Sequence, residues 1–170
     1  KMDDLADRII QNNIKKKYHM YVRSDTVAKN PALFEKWASI GLDSVLIGLE
    51  SIFQNDLNLY NKSISLKTAY ESLNILHSNG VEVRANFIIK PDYTKEKFDM
   101  VKRAVYELNI DRPTFAVLTP FYGTDEYEKV RDKFIIDNLE FFDCYHTFLQ
   151  TELPLKEFYF EFADLFRCAY

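Results

Sequence analysis

Three joints of one kind recur along this chain: "SIGLDSVLIG", "SNGVEVRANFII" and "LNIDRPTFAVL". Each ends a stretch with helical spacing, turns within a few residues, and enters a short β-rich run. They recur at roughly 30 to 40 residues, the length of one strand–helix unit rather than of a solenoid repeat. Parallel strands need such a helical crossover, because a tight hairpin can only reverse the chain. The feature therefore demands a parallel sheet with a helix after each strand.

The rest of the chain fills in the same alternation. Apolar residues at Met2, Leu5, Ala6, Ile9, Ile10 and Ile14 have helical spacing. Strands are expected at 18–25, 43–51, 81–89 and 113–120. Helices are expected at 30–41, 53–60, 65–80, 94–110 and 124–134. Asn30 reads as an N-cap with Pro31 at the first helical position and Gly41 past the end; Ser65 and Gly80 bracket another helix. On the helix over 94–110, Phe98, Val101, Val105 and Leu108 share a face. The tail is aromatic-rich and broken by Pro154, after which Leu155, Phe158, Phe162, Leu165 and Phe166 line one side of a last helix. The expected division is a βα layer over 1–134 and a helical extension over 135–170.

Side chains alternate across a strand. Val45, Ile47 and Leu49 form one set, as do Val83, Ala85, Phe87 and Ile89; both are apolar and should lie under helices. The opposite sets are Ser44, Leu46, Gly48 and Glu50, then Glu82, Arg84, Asn86 and Ile88. On the first strand His19, Tyr21, Arg23 and Asp25 share a face. A doubly wound sheet buries both faces and would not place Arg84 and Asn86 there. A barrel-type sheet, with helices on one face only, can line a polar cavity with the other. The fold class is therefore α/β: a partial TIM-like barrel of about four parallel strands with helices on one face, plus a helical tail. Four strands cannot close a barrel, so the edge of the first strand is left open. That edge is expected to pair with another copy or with neighbouring chain. Arg23, Asp25, Glu50, Asn86 and Thr119 fall at the C-terminal ends of successive strands, the rim where βα folds bind ligands.

Composition narrows the function. With 47% hydrophobic residues and 25 Phe plus Tyr in 170 residues, the chain can build a core as one domain. The formal net charge of −4 gives no basic footprint for nucleic acid, and "KKK" at 15–17 reads as a solvated loop. No apolar run reaches the roughly 20 residues of a membrane span, and no signal peptide is visible. Cys144 and Cys168 show no metal-ligand spacing; a reduced, cytoplasmic setting is expected. The chain opens on Lys1, inside an amphipathic segment, which suggests a piece of a longer protein.

No Ser–His–Asp or Cys–His arrangement, GxGxxG or phosphate-binding loop stands out. His77, near a helix end, suits a surface role better than metal ligation. Glu50 with Asp25 could act as an acid/base pair, accept hydrogen bonds from ligand hydroxyls, or, for Glu50, cap the helix that follows. Arg23 with Asp25 could be a structural ion pair. Lys62 could be an exposed loop lysine, and "TPFYGT" a plain turn.

Four stretches in order carry a resemblance: "VRSDTVAKNPALFEKWASIGLDSVLIGLES", Lys62, "ANFIIKPDYT" and "LTPFYGTDEYEKV". Together they resemble the second half of a radical S-adenosylmethionine (SAM) core. The resemblance is closest to the subgroup with an N-terminal cobalamin-binding domain, as in some hopanoid and bacteriochlorophyll biosynthesis enzymes. It covers about residues 1–130, and "TELPLKEFYFEFADLFRCAY" resembles that subgroup's C-terminal helical region. It implies a partial (βα)6 barrel of which these would be the third to sixth strands. It implies SAM contacts from Glu50 to the ribose region, from Lys62 to the methionyl carboxylate and from Asn86 near the ribose. The backbone of 88–90, and Thr119 with Pro120, would border adenine. Arg23 stands where several relatives have an acidic group, and "IIKP" stands where a GxP usually follows the fifth strand. The CxxxCxxC motif that binds the family's 4Fe–4S cluster is not in this chain, and the resemblance puts it upstream, with the glycine-rich strand that binds the SAM amino group. The implied whole is an oxidoreductase or methyltransferase-type enzyme. It would cleave SAM reductively to a 5′-deoxyadenosyl radical that acts on a small-molecule substrate, with cobalamin where the subgroup's domain is present. This chain would be its SAM-contacting part, inactive alone. The alternative is a self-contained α/β ligand-binding or interaction module without catalysis. A half barrel with a phosphate ligand is weaker, since no glycine-rich loop follows the last strand.

Overall fold

The structure, a computed structural model, describes residues 1–59, 65–136 and 138–169, with the side chains of residues 58 and 59 left out. Strands β1 (Tyr18–Val22), β2 (Leu42–Glu50), β3 (Glu82–Ile89) and β4 (Arg112–Val117) form one parallel sheet in the order β1-β2-β3-β4. The helices are α1 (Met2–Gln11), α2 (Ser24–Lys29), α3 (Pro31–Ser39), α4 (Gln54–Leu59), α5 (Leu66–Ser78), α6 (Lys95–Glu107), α7 (Asp125–Val130) and α8 (Leu155–Ala169). The order of strands follows the order of sequence, as successive βα units winding one way require. The chain divides into two compact units. One comprises Lys1–Asn86 and Leu108–Pro113, the other Phe87–Glu107 and Thr114–Tyr170.

In the first unit the expected alternation is present. Val45, Ile47 and Leu49 are buried while Leu46, Gly48 and Glu50 are half-buried, and β3 alternates without a break. Val27, Phe34, Trp37, Leu73 and Leu76 of the helices are buried as well. Helix α2 packs on α5. Ser65 caps α5, its hydroxyl accepting from the Thr68 N–H at 3.1 Å. His77 lies 3.2 Å from Asp111, whose carboxylate also accepts from the Val83 N–H at 2.7 Å. That histidine braces the foot of β3.

The pairing of β1 with β2 slips by one residue between Tyr18 and His19, so Tyr18 pairs with Leu42 but His19 with Ser44. A one-residue slip reverses the facing of all that follows, and here Ser44 and Val45 are both buried. Gly41 holds the entry to this bulge at φ +110°. A Cβ on Gly41 would collide with the Lys16 carbonyl oxygen, and the Gly41 carbonyl accepts from the Tyr18 N–H at 2.8 Å.

Two sequence expectations are corrected in this unit. The first strand stops at Val22 rather than running to 25, because the chain turns at once into α2. Asn30 makes no side-chain cap for α3; its Nδ2 donates instead to the Thr26 carbonyl at 2.8 Å, closing the end of α2. The short extra helix takes over the residue that was expected to start the longer one.

The second unit is built on aromatic rings. Phe87 stacks on Phe115, Phe115 meets Phe166 edge-on, and Phe98 stands between Tyr93 and Phe158. Helix α8 packs on α6 as the tail pattern predicts, with Phe158, Phe162 and Leu165 buried. Leu155, expected on the same face, is 47% exposed, since it sits in the first turn before the helix meets its partner. Lys102 of α6 pins the two helices together. It reaches Asp164 at 2.7 Å and Glu161 at 2.8 Å, and Lys95 reaches Glu161 at 2.6 Å. Burial alone would lower the Lys102 pKa, but its bonds to Asp164 and Glu161 outweigh it and hold it above the ordinary lysine value.

Candidate functional site

Glu50 is the last residue of β2, and its backbone is unusual. Its φ is +65°, and the Ser51 N–H donates back to the Leu49 carbonyl at 2.8 Å. An i→i+2 bond around a positive φ is the rare, strained form of γ-turn. A side chain in that region costs roughly 1–2 kcal/mol, so glycine is the usual choice. The chain instead keeps a carboxylate there. Strain of this kind persists only where the surroundings over-determine it, and here they do. Ser51 is 4% exposed, and its hydroxyl accepts from the Phe53 N–H at 3.0 Å while donating to Asp56 at 3.1 Å. Asp56, 6% exposed, lies in the first turn of α4, where its negative charge also suits the helix dipole. The turn into α4 is thus tied by Ser51.

Asn86 occupies the half-buried face of β3, the neighbour of β2 in the sheet. Glu50 and Asn86 therefore sit on adjacent strands of the first unit, each on the face opposite the apolar core. Together they offer acceptors and one amide donor pair, a set suited to the hydroxyls of a sugar.

Arg23 and Asp25 do not lie on a strand face. Arg23 is the residue before α2 and Asp25 is in its first turn. They pair with each other at 2.9 Å, and Lys29 adds a contact to Asp25 at 3.8 Å. The Arg23 bond holds the Asp25 carboxyl below the usual carboxylate range and raises the Arg23 guanidinium further. The ion pair weighed from sequence is therefore formed. Lys62 lies outside the described residues.

In the second unit, β4 ends at Val117, so Thr119 follows the strand rather than closing it. It is 8% exposed and its hydroxyl donates to the Val117 carbonyl at 3.1 Å. Pro120 is buried beside it in sequence. The Ile89 carbonyl accepts from the Leu118 N–H at 2.8 Å, which ties the segment after β4 to the end of β3. Lys90 pairs with Asp92 at 3.1 Å.

The sequence reading singled out Glu50 but missed Ser51 and Asp56. A serine followed five residues later by an aspartate at a helix start was the available signal. Among the described residues no group of three His, Cys, Asp or Glu could hold a metal ion. Two cysteines cannot supply the three thiolates of a CxxxCxxC cluster site, so these residues do not fit a 4Fe–4S cluster. No described helix is long and apolar enough to cross a membrane.

No protein-family model matches the chain. It is 29% identical over 158 residues to the hopanoid C-3 methylase of Methylococcus capsulatus, covering 93% of this chain and 30% of that protein. It is 28% identical over 130 residues to the bacteriochlorophyllide d C-8(2)-methyltransferase of Chlorobaculum tepidum, covering 73% of this chain and 29% of that one. It is 21% identical over 141 residues to the anaerobic magnesium-protoporphyrin IX monomethyl ester cyclase of Rubrivivax gelatinosus, 82% and 25% of the two chains. Among solved structures, the cobalamin-dependent S-adenosylmethionine radical enzyme OxsB superposes with a TM-score of 0.54 at 21% identity. That match covers 88% of this chain and 21% of OxsB. The chain thus spans less than a third of the length of these curated relatives. In sequence the chain is thus similar to one stretch of these two methyl-transferring enzymes and of the cyclase, and in fold to one stretch of OxsB.

Proposed function

We propose that this chain is the SAM-contacting part of a radical SAM enzyme, with residues 1–134 as barrel and 135–170 as a C-terminal extension. The observation that carries this reading is the strained Glu50 turn at the end of β2, on the strand beside Asn86. Glu50 would accept from the ribose hydroxyls and Asn86 would bond near the same ring. Thr119 and Pro120 would border adenine, and Lys62 would meet the methionyl carboxylate. Arg23 and Asp25, paired with each other, would complete the binding rim. SAM held by these residues would be the source of a carbon-centred radical acting at an unactivated position of a small-molecule substrate. The cluster would be held by residues outside this chain, and cobalamin by the subgroup's own domain. The chain alone would not catalyse the reaction.

The test is anaerobic purification of the full-length protein, with its absorption spectrum and 5′-deoxyadenosine formation measured in the presence of SAM and reductant. An iron–sulfur absorption and SAM cleavage are expected. Neither appearing would overturn the reading in favour of a binding module without catalysis. We also propose that the open edge of β1 pairs with a second copy or with adjoining chain. A monomer with free β1 amides in hydrogen exchange would overturn that.

A further inference from the structure

Glu50 is held in place by groups that belong to no ligand-binding pattern, and their arrangement assigns them a task. We infer that Ser51 and Asp56 are positioning residues: they fix the positive-φ turn that aims the Glu50 carboxylate at the rim. This rests on the reading of Glu50 as a SAM contact. Three observations converge. Glu50 has φ +65° with no glycine to ease it. Both hydrogen-bonding capacities of the buried Ser51 hydroxyl are used, one from the Phe53 N–H and one to Asp56. Asp56 is a buried acid, a costly group to keep inside unless its bonds are needed. Without the clamp, β2 would relax toward an ordinary extended end. Its last side chain would then swing away from the face it shares with Leu46 and Gly48. The hydroxyl and the acid thus convert an unfavourable backbone geometry into a fixed carboxylate direction, and they do so without touching the ligand.

The experiment measures equilibrium binding of SAM to the full-length protein kept anaerobic, alongside thermal melting. Glu50→Ala should weaken binding by roughly tenfold or more, the scale of a lost charged hydrogen bond. Ser51→Ala and Asp56→Ala should weaken it by roughly three- to tenfold, and Asp56→Asn, which keeps an acceptor for Ser51, should restore most of it. The double variant Glu50→Ala with Ser51→Ala should bind no worse than Glu50→Ala alone, because the clamp acts only through Glu50. Glu50→Gly should melt higher than Glu50→Ala yet bind as poorly. Additive losses in the double variant, or wild-type binding by Ser51→Ala, would overturn the positioning role while leaving the Glu50 contact intact. Wild-type binding by Glu50→Ala would instead overturn the reading of the site. Should Asp56→Ala fail to fold, Ser51→Ala and Asp56→Asn still decide the matter.

Discussion

Strand β4 and strand β1 are both edges of the sheet, and the chain treats them differently. At β4 the Val117 N–H donates to the Cys144 carbonyl at 2.7 Å, and Phe115 packs against Phe166 of α8. The tail thus takes up backbone and side chain at that edge, at the expense of a positive φ of 66° at Cys144. At β1 the strand pairs with β2, and Tyr21 is 77% exposed. An exposed edge without charge or proline to blunt it is a surface ready for another strand. The difference teaches that the aromatic tail is part of the fold at β4, while β1 simply ends the sheet beside β2.

The comparison breaks most visibly in the tail. Phe158→Ala should cost about 3–5 kcal/mol in urea unfolding, since the ring is fully buried between α6 and α8. A loss below about 1 kcal/mol would mean the tail is not integral. Lys102→Met should cost about 1–3 kcal/mol, as it leaves Glu161 and Asp164 without their main partner.

The pH dependence follows the same network. The Lys102 bond lowers the folded pKa of both Glu161 and Asp164, with Lys95 adding to the effect on Glu161. Groups with depressed folded values contribute stability above their ordinary values of 4.5 and 3.8 and lose it as pH falls through the folded ones. The urea midpoint should therefore fall below pH 5, and less steeply in Lys102→Met. An equal slope in both would remove the network from the account.

Smaller effects sharpen the contrast. Cys144→Gly should stabilise by up to about 1 kcal/mol, the left-handed penalty less the entropy glycine adds; a destabilised variant would show that the thiol side chain packs usefully. Tyr21→Lys should leave stability within about 0.5 kcal/mol while lowering any self-association seen in sedimentation. Unchanged association would move the contact elsewhere.

Much of this was legible in sequence, for reasons that differ by residue. The alternation in "VLIGLE" and "VEVRANFII" gave the buried and half-buried faces, because a half-covered sheet forces period two. Ser65 was legible as a cap because its hydroxyl bonds within one turn. The break at Arg23 was not, because "YVRSD" suits a strand as well as a helix start, and the choice is made by α2 packing on α5. Leu155 misled because periodicity says which face a residue is on, not whether a partner reaches that far along the helix. The Glu50 strain was out of reach because a positive φ leaves a trace in sequence only when glycine takes it.

Gly41 has a bearing on how such a chain could diverge. Glu50 and Asn86 lie on the half-buried face of their strands, opposite the apolar core. Position 41 has no room for a side chain, since even an alanine methyl would collide with the Lys16 carbonyl. Shifting that carbonyl would disturb the Gly41–Tyr18 bond through which the chain enters β1. The polar face of the sheet can thus change its chemistry while this glycine is held fixed, nine residues before Glu50.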